Sequence, residues 1–221
     1  MPTFIYESAE VNIPDWVVDL ESFRRWADAD DFPEKGRIWY LPGGVWVDMS
    51  KEQIFTNVLL KTEIASVLRP LAKRNRLGFY LADGAFFSNE EADIAGRPDG
   101  LFVSNASLDA KRVRLVEGME AGHVEVEGTP DMVLEVVSDG SVRKDRVVLR
   151  EAYWKAGIRE YWLVDARKEA LSFDVLRHTA KGYAAARKQQ GWVRSNVFGK
   201  SFRLDRATDA RGNPDYTLEV R

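Results

Sequence analysis

Glu135 and Asp99 are the two residues of this 221-residue chain whose surroundings demand a chemical explanation. Glu135 interrupts the stretch Asp131 to Ser138 (DMVLEVVS), where its neighbours are Met132, Val133, Leu134, Val136 and Val137. An unpaired carboxylate among such side chains costs several kcal/mol, so it must be paired, protonated or bound to a cation. A buried salt bridge to Arg146 or Arg150 is one solution, and a metal ion is another. Asp99 lies in Arg97-Pro98-Asp99-Gly100, ahead of the apolar run LFV. Alone, an Asp between Pro and Gly suits a turn as well as it suits a ligand at a strand start. Two carboxylates on adjacent strands favour a hard cation such as Mg²⁺, which takes oxygen ligands and keeps several waters for a phosphate substrate. Such an ion lowers the pKa of a bound water and neutralises charge developing on a phosphorane-like transition state.

A third group, a cation near the attacking water or the phosphate, is expected from Lys144. It follows the Ser138-to-Val142 turn at the start of a helix, close enough to fold back over the strand of Glu135. Its charge opposes the helix dipole there, which points to another use. Other chemistries have no support. With no cysteine, disulfides, thiolate metal sites and cysteine nucleophiles are excluded. The two histidines, His123 and His178, fall in separate predicted strands, and no Gly-rich phosphate loop is present.

The elements that must position these residues are legible in the pattern. Asp19 to Ala29 suits a short helix, and RIWYLPGGVWVDM (Arg37 to Met49) reads as two strands joined through Pro42-Gly43-Gly44. Ser50 to Gln53 has capping-box spacing, followed by apolar residues at Ile54, Val58, Leu59, Ile64, Val67, Leu68 and Leu71. This predicts a long amphipathic helix ending near Arg76. GFYLADGAFFS and GLFVSN read as strands around a polar loop from Asn89 to Gly96, and RVRLVE with HVEVE as a ribbon. The strand of Glu135 is apolar on both faces, as a central strand is. Lys144 to Ala156 then predicts a helix stopped by Gly157, and Glu160 to Asp165 a strand parallel to that of Glu135. Beyond Asp165, alternating segments split by Gly182 and Gly191 predict a β-meander. The expected fold is α/β (α+β): a mixed central sheet flanked by helices, in one domain over 1–221, with 1–35 as an N-terminal extension.

The balance of 32 Lys+Arg against 35 Asp+Glu, with a pI near 5.6, gives no global attraction for a polyanion. Arg69 to Arg76, Lys111 to Arg114 and Arg143 to Arg150 are local basic stretches that also suit solvated faces. No apolar run approaches the ~18 residues of a membrane span, and the acidic, proline-broken N-terminus is unlike a signal peptide. A cytoplasmic protein is expected.

RPDG at Asp99, PDMVLEVVS, the following KD, EAYWKAGI and REYWLVD together resemble the Uma-two family of restriction endonucleases, placed in the PD-(D/E)XK nuclease superfamily. The resemblance covers about residues 37–205 and is densest from Pro130 to Asp165. It implies a restriction-endonuclease-like core, Asp99 as the acid of the PD element, Glu135 as the acid of the (D/E)XK strand, and Mg²⁺ or Mn²⁺ as cofactor. The implied partner is nucleic acid, DNA above all, and a homodimer would serve the cutting of two strands. Asp131, Tyr153, Tyr161, Trp162 and Asp165 also match, with structural roles expected for each. The chain departs from the pattern as well. Val137 holds the superfamily's lysine position, and Leu149 the place of a lysine that many members carry in the next helix, leaving Lys144. Arg146 or Arg150 could replace the charge but not act as a base. Glu52 and Glu63 are candidates for an added acid, and Thr56 and Asn57 stand where relatives have a histidine. These departures suit a second reading, a nuclease-like fold kept for binding without turnover. A third leaves Glu135 merely salt-bridged in a structural domain.

Overall fold

A strand with two apolar faces needs a layer on each, and the fold supplies both. The computed structural model describes residues 4–6, 11–118 and 121–221; residues 1–3 and 7–10 of the expected extension lie outside the described residues. In chain order the elements begin with β1 (Phe4–Tyr6), α1 (Leu20–Ala27), β2 (Arg37–Leu41) and β3 (Gly44–Asp48), then a π-helical segment Ile54–Leu59 leading into α2 (Leu60–Arg74). There follow β4 (Gly78–Ala82), β5 (Phe86–Asn89), β6 (Ile94–Gly96), β7 (Gly100–Ser104), α3 (Asn105–Asp109), β8 (Val113–Glu117), β9 (His123–Gly128) and β10 (Met132–Val136). A second π-helical segment, Lys144–Val148, opens α4 (Leu149–Lys155). The chain ends with β11 (Glu160–Asp165), β12 (Ser172–Thr179), β13 (Gly182–Ala185), β14 (Lys188–Gln189), β15 (Trp192–Ser195), β16 (Lys200–Thr208) and β17 (Pro214–Val220).

The central sheet has the order β13-β12-β11-β10-β7-β4. β10 and β11 are parallel, joined by the α4 crossover as their β-α-β pattern predicts, and the other neighbours run antiparallel. Alternation along β10 divides its side chains. Met132, Leu134 and Val136 meet α2 residues Leu60 and Ile64 and the β14-β15-β16-β17 sheet through Phe202 and Tyr216. Val133, on the opposite side, packs with Tyr153 of α4 and with Trp39 and Phe87 of the seven-stranded sheet β1-β3-β2-β6-β5-β9-β8. Glu135 therefore points to the side of α4.

Several expectations need correction. No side chain caps the helix after Gln53, and the Ser50 N–H instead donates to Asp48, so Ser50 to Gln53 is not a capping box. The Val58 N–H reaches back to the Gln53 carbonyl, five residues away, at 3.1 Å. That extra residue per turn rotates the helix face. Ile54 is 68% and Val58 43% exposed, whereas the polar Asn57 is buried, the reverse of the periodic pattern. The supposed polar loop Asn89 to Gly96 folds as the β5-β6 hairpin, with Ala92 and Ile94 buried and Asn89 accepting the Ala92 N–H. Asn105 begins α3 rather than ending a strand, because the Ser104 side chain accepts the Ser107 N–H as a cap. The expected meander is divided: β12 and β13 extend the central sheet, and β14 to β17 form their own.

Asp165 ends β11 under two arginines. Burial opposes its charge, but hydrogen bonds from Arg167 and Arg146 outweigh that and hold its pKa down to about 2. A depressed carboxylate contributes stability that is complete above its unfolded value of 3.8 and is lost as the pH falls through the folded one. Arg167→Met is expected to lower unfolding free energy by about 1–2 kcal/mol at pH 7. The deficit should shrink below pH 3, as read by urea denaturation at the two pH values.

Candidate functional site

Register brings the two acids together. β7 and β10 pair Leu134 with Gly100, and one residue further the antiparallel ladder sets Asp99 opposite Glu135. Both point to one side, since Leu101 and Val103 share the alternation of Asp99 and lie in the same cluster as Val133 and Val137. Asp99 Oδ2 accepts the Val136 N–H at 2.7 Å, which ties the carboxylate to the strand of its counterpart. Gly100 is no turn residue: a Cβ there would lie 2.2 Å from the Tyr80 hydroxyl. The Pro-Asp-Gly triplet starts a strand. Asp99 is 3% and Glu135 2% exposed.

Lys144 joins them from the second π-helical segment. Its Nζ stands 3.4 Å from Glu135 Oε2 and 2.6 Å from Asp145, and 5.1 and 5.2 Å from the ring centres of Trp39 and Trp46. The two indole faces, one on each strand of the β2-β3 hairpin, favour the cation. Trp39 reaches this position because Gly96 has no side chain, a Cβ there lying 2.2 Å from the indole. Glu135 Oε1 accepts the Tyr153 hydroxyl proton at 2.7 Å, so Tyr153 does more than fill core. Burial is the largest influence on Glu135 and holds its pKa above the usual carboxylate range, even against Lys144. For Lys144 burial acts against the charge, but Asp145 and Glu135 prevail and raise its pKa, keeping it an ammonium.

The alternative salt bridge of Glu135 to Arg146 or Arg150 does not form; the cation beside Glu135 is Lys144. Arg146 pairs with Asp165 and Arg150 donates to the Tyr183 carbonyl. Of the candidate added acids, Glu63 accepts the Leu218 N–H away from the site. Glu52 does reach it, through Arg37 and Lys61, though it precedes the helix rather than serving its first turn. Asp131 binds Ser104, Ser107 and Arg159 at the opposite end of β10, beside a cavity of about 550 Å³ whose buried carboxylates, Asp131 and Glu160, are taken up by structural bonds. Tyr161 donates to the Asp145 carbonyl and Trp162 to Glu160, both structural contacts.

Four site residues, Arg37, Lys61, Asp83 and Asp145, escape sequence reasoning, and a fifth, Asn57, was noted only for standing where relatives have a histidine. Arg37 lies 3.2 Å and Lys61 Nζ 3.5 Å from Asp99 Oδ1. Lys61 also meets Glu52 at 2.8 Å and Asp83 at 2.5 Å. Asn57 Nδ2 donates to the Val136 carbonyl at 3.3 Å, and Asp145 completes the cluster around Lys144. The one available signal was polar Asn57 and Lys61 at i and i+4, sharing one stripe of an amphipathic helix. Two openings flank the site: one of about 370 Å³ beside Glu52, Lys61 and Asp83, and one of about 200 Å³ beside Asn57, Val137 and Arg167.

Among the described residues, no three His, Cys, Asp or Glu side chains form a ready cation cage. A metal centre here would have the form that suits Mg²⁺, one or two carboxylates with the remaining positions left to water and phosphate. The donor set fits that ion, all hard oxygen and no sulfur. With Glu52, Asp83, Asp99, Glu135 and Asp145 against Arg37, Lys61 and Lys144, the cluster has more acids than bases.

Comparison with known proteins bears on the fold and the family. The fold is similar to the crystal structure of a putative nuclease belonging to DUF820 from Anabaena variabilis ATCC 29413, with a TM-score of 0.59 and 17% identity over 82% of this chain and 91% of that one. At that identity the likeness establishes the fold. No curated relative matches the chain. Residues 20–208 match the model of the Uma2 family, described as "putative restriction endonuclease", and the chain belongs to that family.

Proposed function

We propose that the protein is a metal-dependent endonuclease that hydrolyses phosphodiester bonds of nucleic acid, DNA in the first instance. Asp99 and Glu135 would hold Mg²⁺ or Mn²⁺, and Lys144 would assist the attacking water. The observation that carries this is the juxtaposition of Asp99 and Glu135 at the ends of neighbouring strands, with Lys144 Nζ 3.4 Å from Glu135. A bound divalent ion would supply an acidified water and charge neutralisation at the phosphate. The chain's own groups do the rest. Lys144 cannot take a proton while it is an ammonium, so it orients the water oxygen and offsets negative charge in the transition state. Tyr153 fixes the rotamer of Glu135, and the Val136 N–H fixes that of Asp99. Asn57 steadies the Val136 carbonyl beside them. A polyanionic substrate would approach by the opening at Lys61, where a bound divalent ion would offset the local excess of acids.

A second reading, binding without turnover, is favoured by the saturation of the carboxylate oxygens by Arg37, Lys61 and Lys144. It is separated by calorimetric titration with Mg²⁺ and Mn²⁺, since a site closed to metal gives no heat.

Plasmid DNA and RNA incubated with the protein and either ion provide the direct test. Cleavage of DNA is expected, falling about 10³-fold or more in Asp99→Ala and Glu135→Ala while circular dichroism stays native. Undiminished cleavage in both variants refutes the assignment, and preference for RNA corrects the substrate. The burial of Glu135, only partly offset by Lys144, carries a second expectation. A raised folded pKa means that ionised Glu135 costs stability as the pH climbs above the unfolded value of 4.5. Glu135→Gln in metal-free protein should therefore gain about 1 kcal/mol at pH 8 relative to wild type, and less at pH 5. Thermal unfolding in chelator at the two pH values measures this; equal or lower stability at pH 8 contradicts it.

A further inference from the structure

We propose that Lys61 is the resident counter-cation of Asp99 and gives up Asp99 Oδ1 to the divalent ion, withdrawing onto Glu52 and Asp83 at the rim. The proposal rests on the metal-dependent reading and deepens it. Asp99 is too buried to stand ionised without a partner, and Lys61 and Arg37 are the cations that meet its Oδ1. They are not equivalent. Arg37 sits on β2, its guanidinium also engaged with Glu52 and, at 3.5 Å, with Asn57. A planar fork held at several points moves little. Lys61 has a flexible four-carbon stem, and Asp99 is its longest contact: 3.5 Å, against 2.8 Å to Glu52 and 2.5 Å to Asp83. Glu52 and Asp83 are the more exposed partners, so the ammonium already leans toward solvent.

A divalent ion bonded to that carboxylate oxygen at about 2.1 Å is repelled by both cations that meet it, and of the two only Lys61 is free to leave and relieve the repulsion. Lys61 can yield by lengthening one contact while keeping two, with no shift of α2. It would then stand at the opening of about 370 Å³, its charge turned to the outside. Lys61 is in these terms a positioning residue that sets the affinity of the metal centre.

The test is calorimetric titration of Mn²⁺ into wild type, Lys61→Met, Lys61→Gln and Lys73→Met, each checked for native circular dichroism. Lys73 is an exposed lysine of the same helix, so its variant controls for net charge. Removing the competitor is expected to tighten Mn²⁺ binding about tenfold in both Lys61 variants and to leave Lys73→Met like wild type. Lys61→Gln retains a donor for Glu52 in case the methionine variant does not fold. In the wild type, the ¹³Cε resonance of Lys61, identified by its loss in Lys61→Gln, should shift on Mg²⁺ addition with the calorimetric midpoint. Unchanged or weaker binding in the Lys61 variants, or a resonance that does not move, overturns the proposal while metal binding stands. Absence of heat in the wild type as well as in Asp99→Ala overturns both.

Discussion

Burying Glu135 is costly, and the cost is offset only where Tyr153 and Lys144, itself faced by two indoles, converge on it. An ion pair withdrawn from water needs close geometry and satisfied remaining valences, and removing one partner leaves a charge that costs about 3–5 kcal/mol. The contributors to this arrangement come from three separate parts of the chain. β10 brings Glu135, the crossover brings Lys144, Asp145 and Tyr153, and the β2-β3 hairpin brings Trp39 and Trp46. The seven-stranded sheet is thereby committed to lie over the α4 side of the central sheet. An error in hairpin placement would expose not only apolar area but an ammonium between two carboxylates.

Both helical segments bordering the site begin with π-helical turns, and both invert the apolar pattern in the same manner. In Ile54–Leu59 the buried residue is Asn57, and in Lys144–Val148 the buried residues are Lys144 and Asp145, while Val147 is 57% exposed. A π turn inserts one residue into the helical repeat, shifting the following side chains by roughly 100° relative to a continuous α-helix. The polar groups face inward for this reason. Where the ladder returns to α geometry, ordinary burial resumes with Leu60, Ile64, Leu68 and Ala72 on one helix and Leu149 and Tyr153 on the other.

The legible and illegible parts of the molecule divide along the same line. The two-sided apolar run of β10, the Gly157 stop and the parallel partner strand could be read because a short continuous apolar run and helix termination are local signals. So could the proximity of Lys144 to Glu135, nine residues away. Ile54 and Val58 were misplaced because a 3.6-residue repeat carries no mark of an inserted residue. Arg37 and Lys61 were out of reach for a different reason. Their link to Asp99 spans 62 and 38 residues and depends on how the hairpin and α2 meet β7, which no spacing encodes. Glu52 was noticed for its place near a helix start, yet its partners are those same distant cations.

The two acids share an asymmetry that bears on how a site so fully paired could still exchange ligands. Asp99 has one oxygen on the backbone N–H of Val136 and the other facing Arg37 and Lys61. Glu135 has one oxygen on the Tyr153 hydroxyl and the other facing Lys144. In each carboxylate a neutral, rigid donor sets the orientation, and charged side chains satisfy the oxygen that remains. The neutral donors belong to the sheet and the packed core, so they persist whatever occupies the site. The cations are held chiefly by charge, and a stronger charge can compete for the same oxygens. Such a division lets the chain fold around internal ammonium and guanidinium groups, unlike small domains whose folding energy is metal binding itself. It also leaves the two exchangeable oxygens on one side of the sheet.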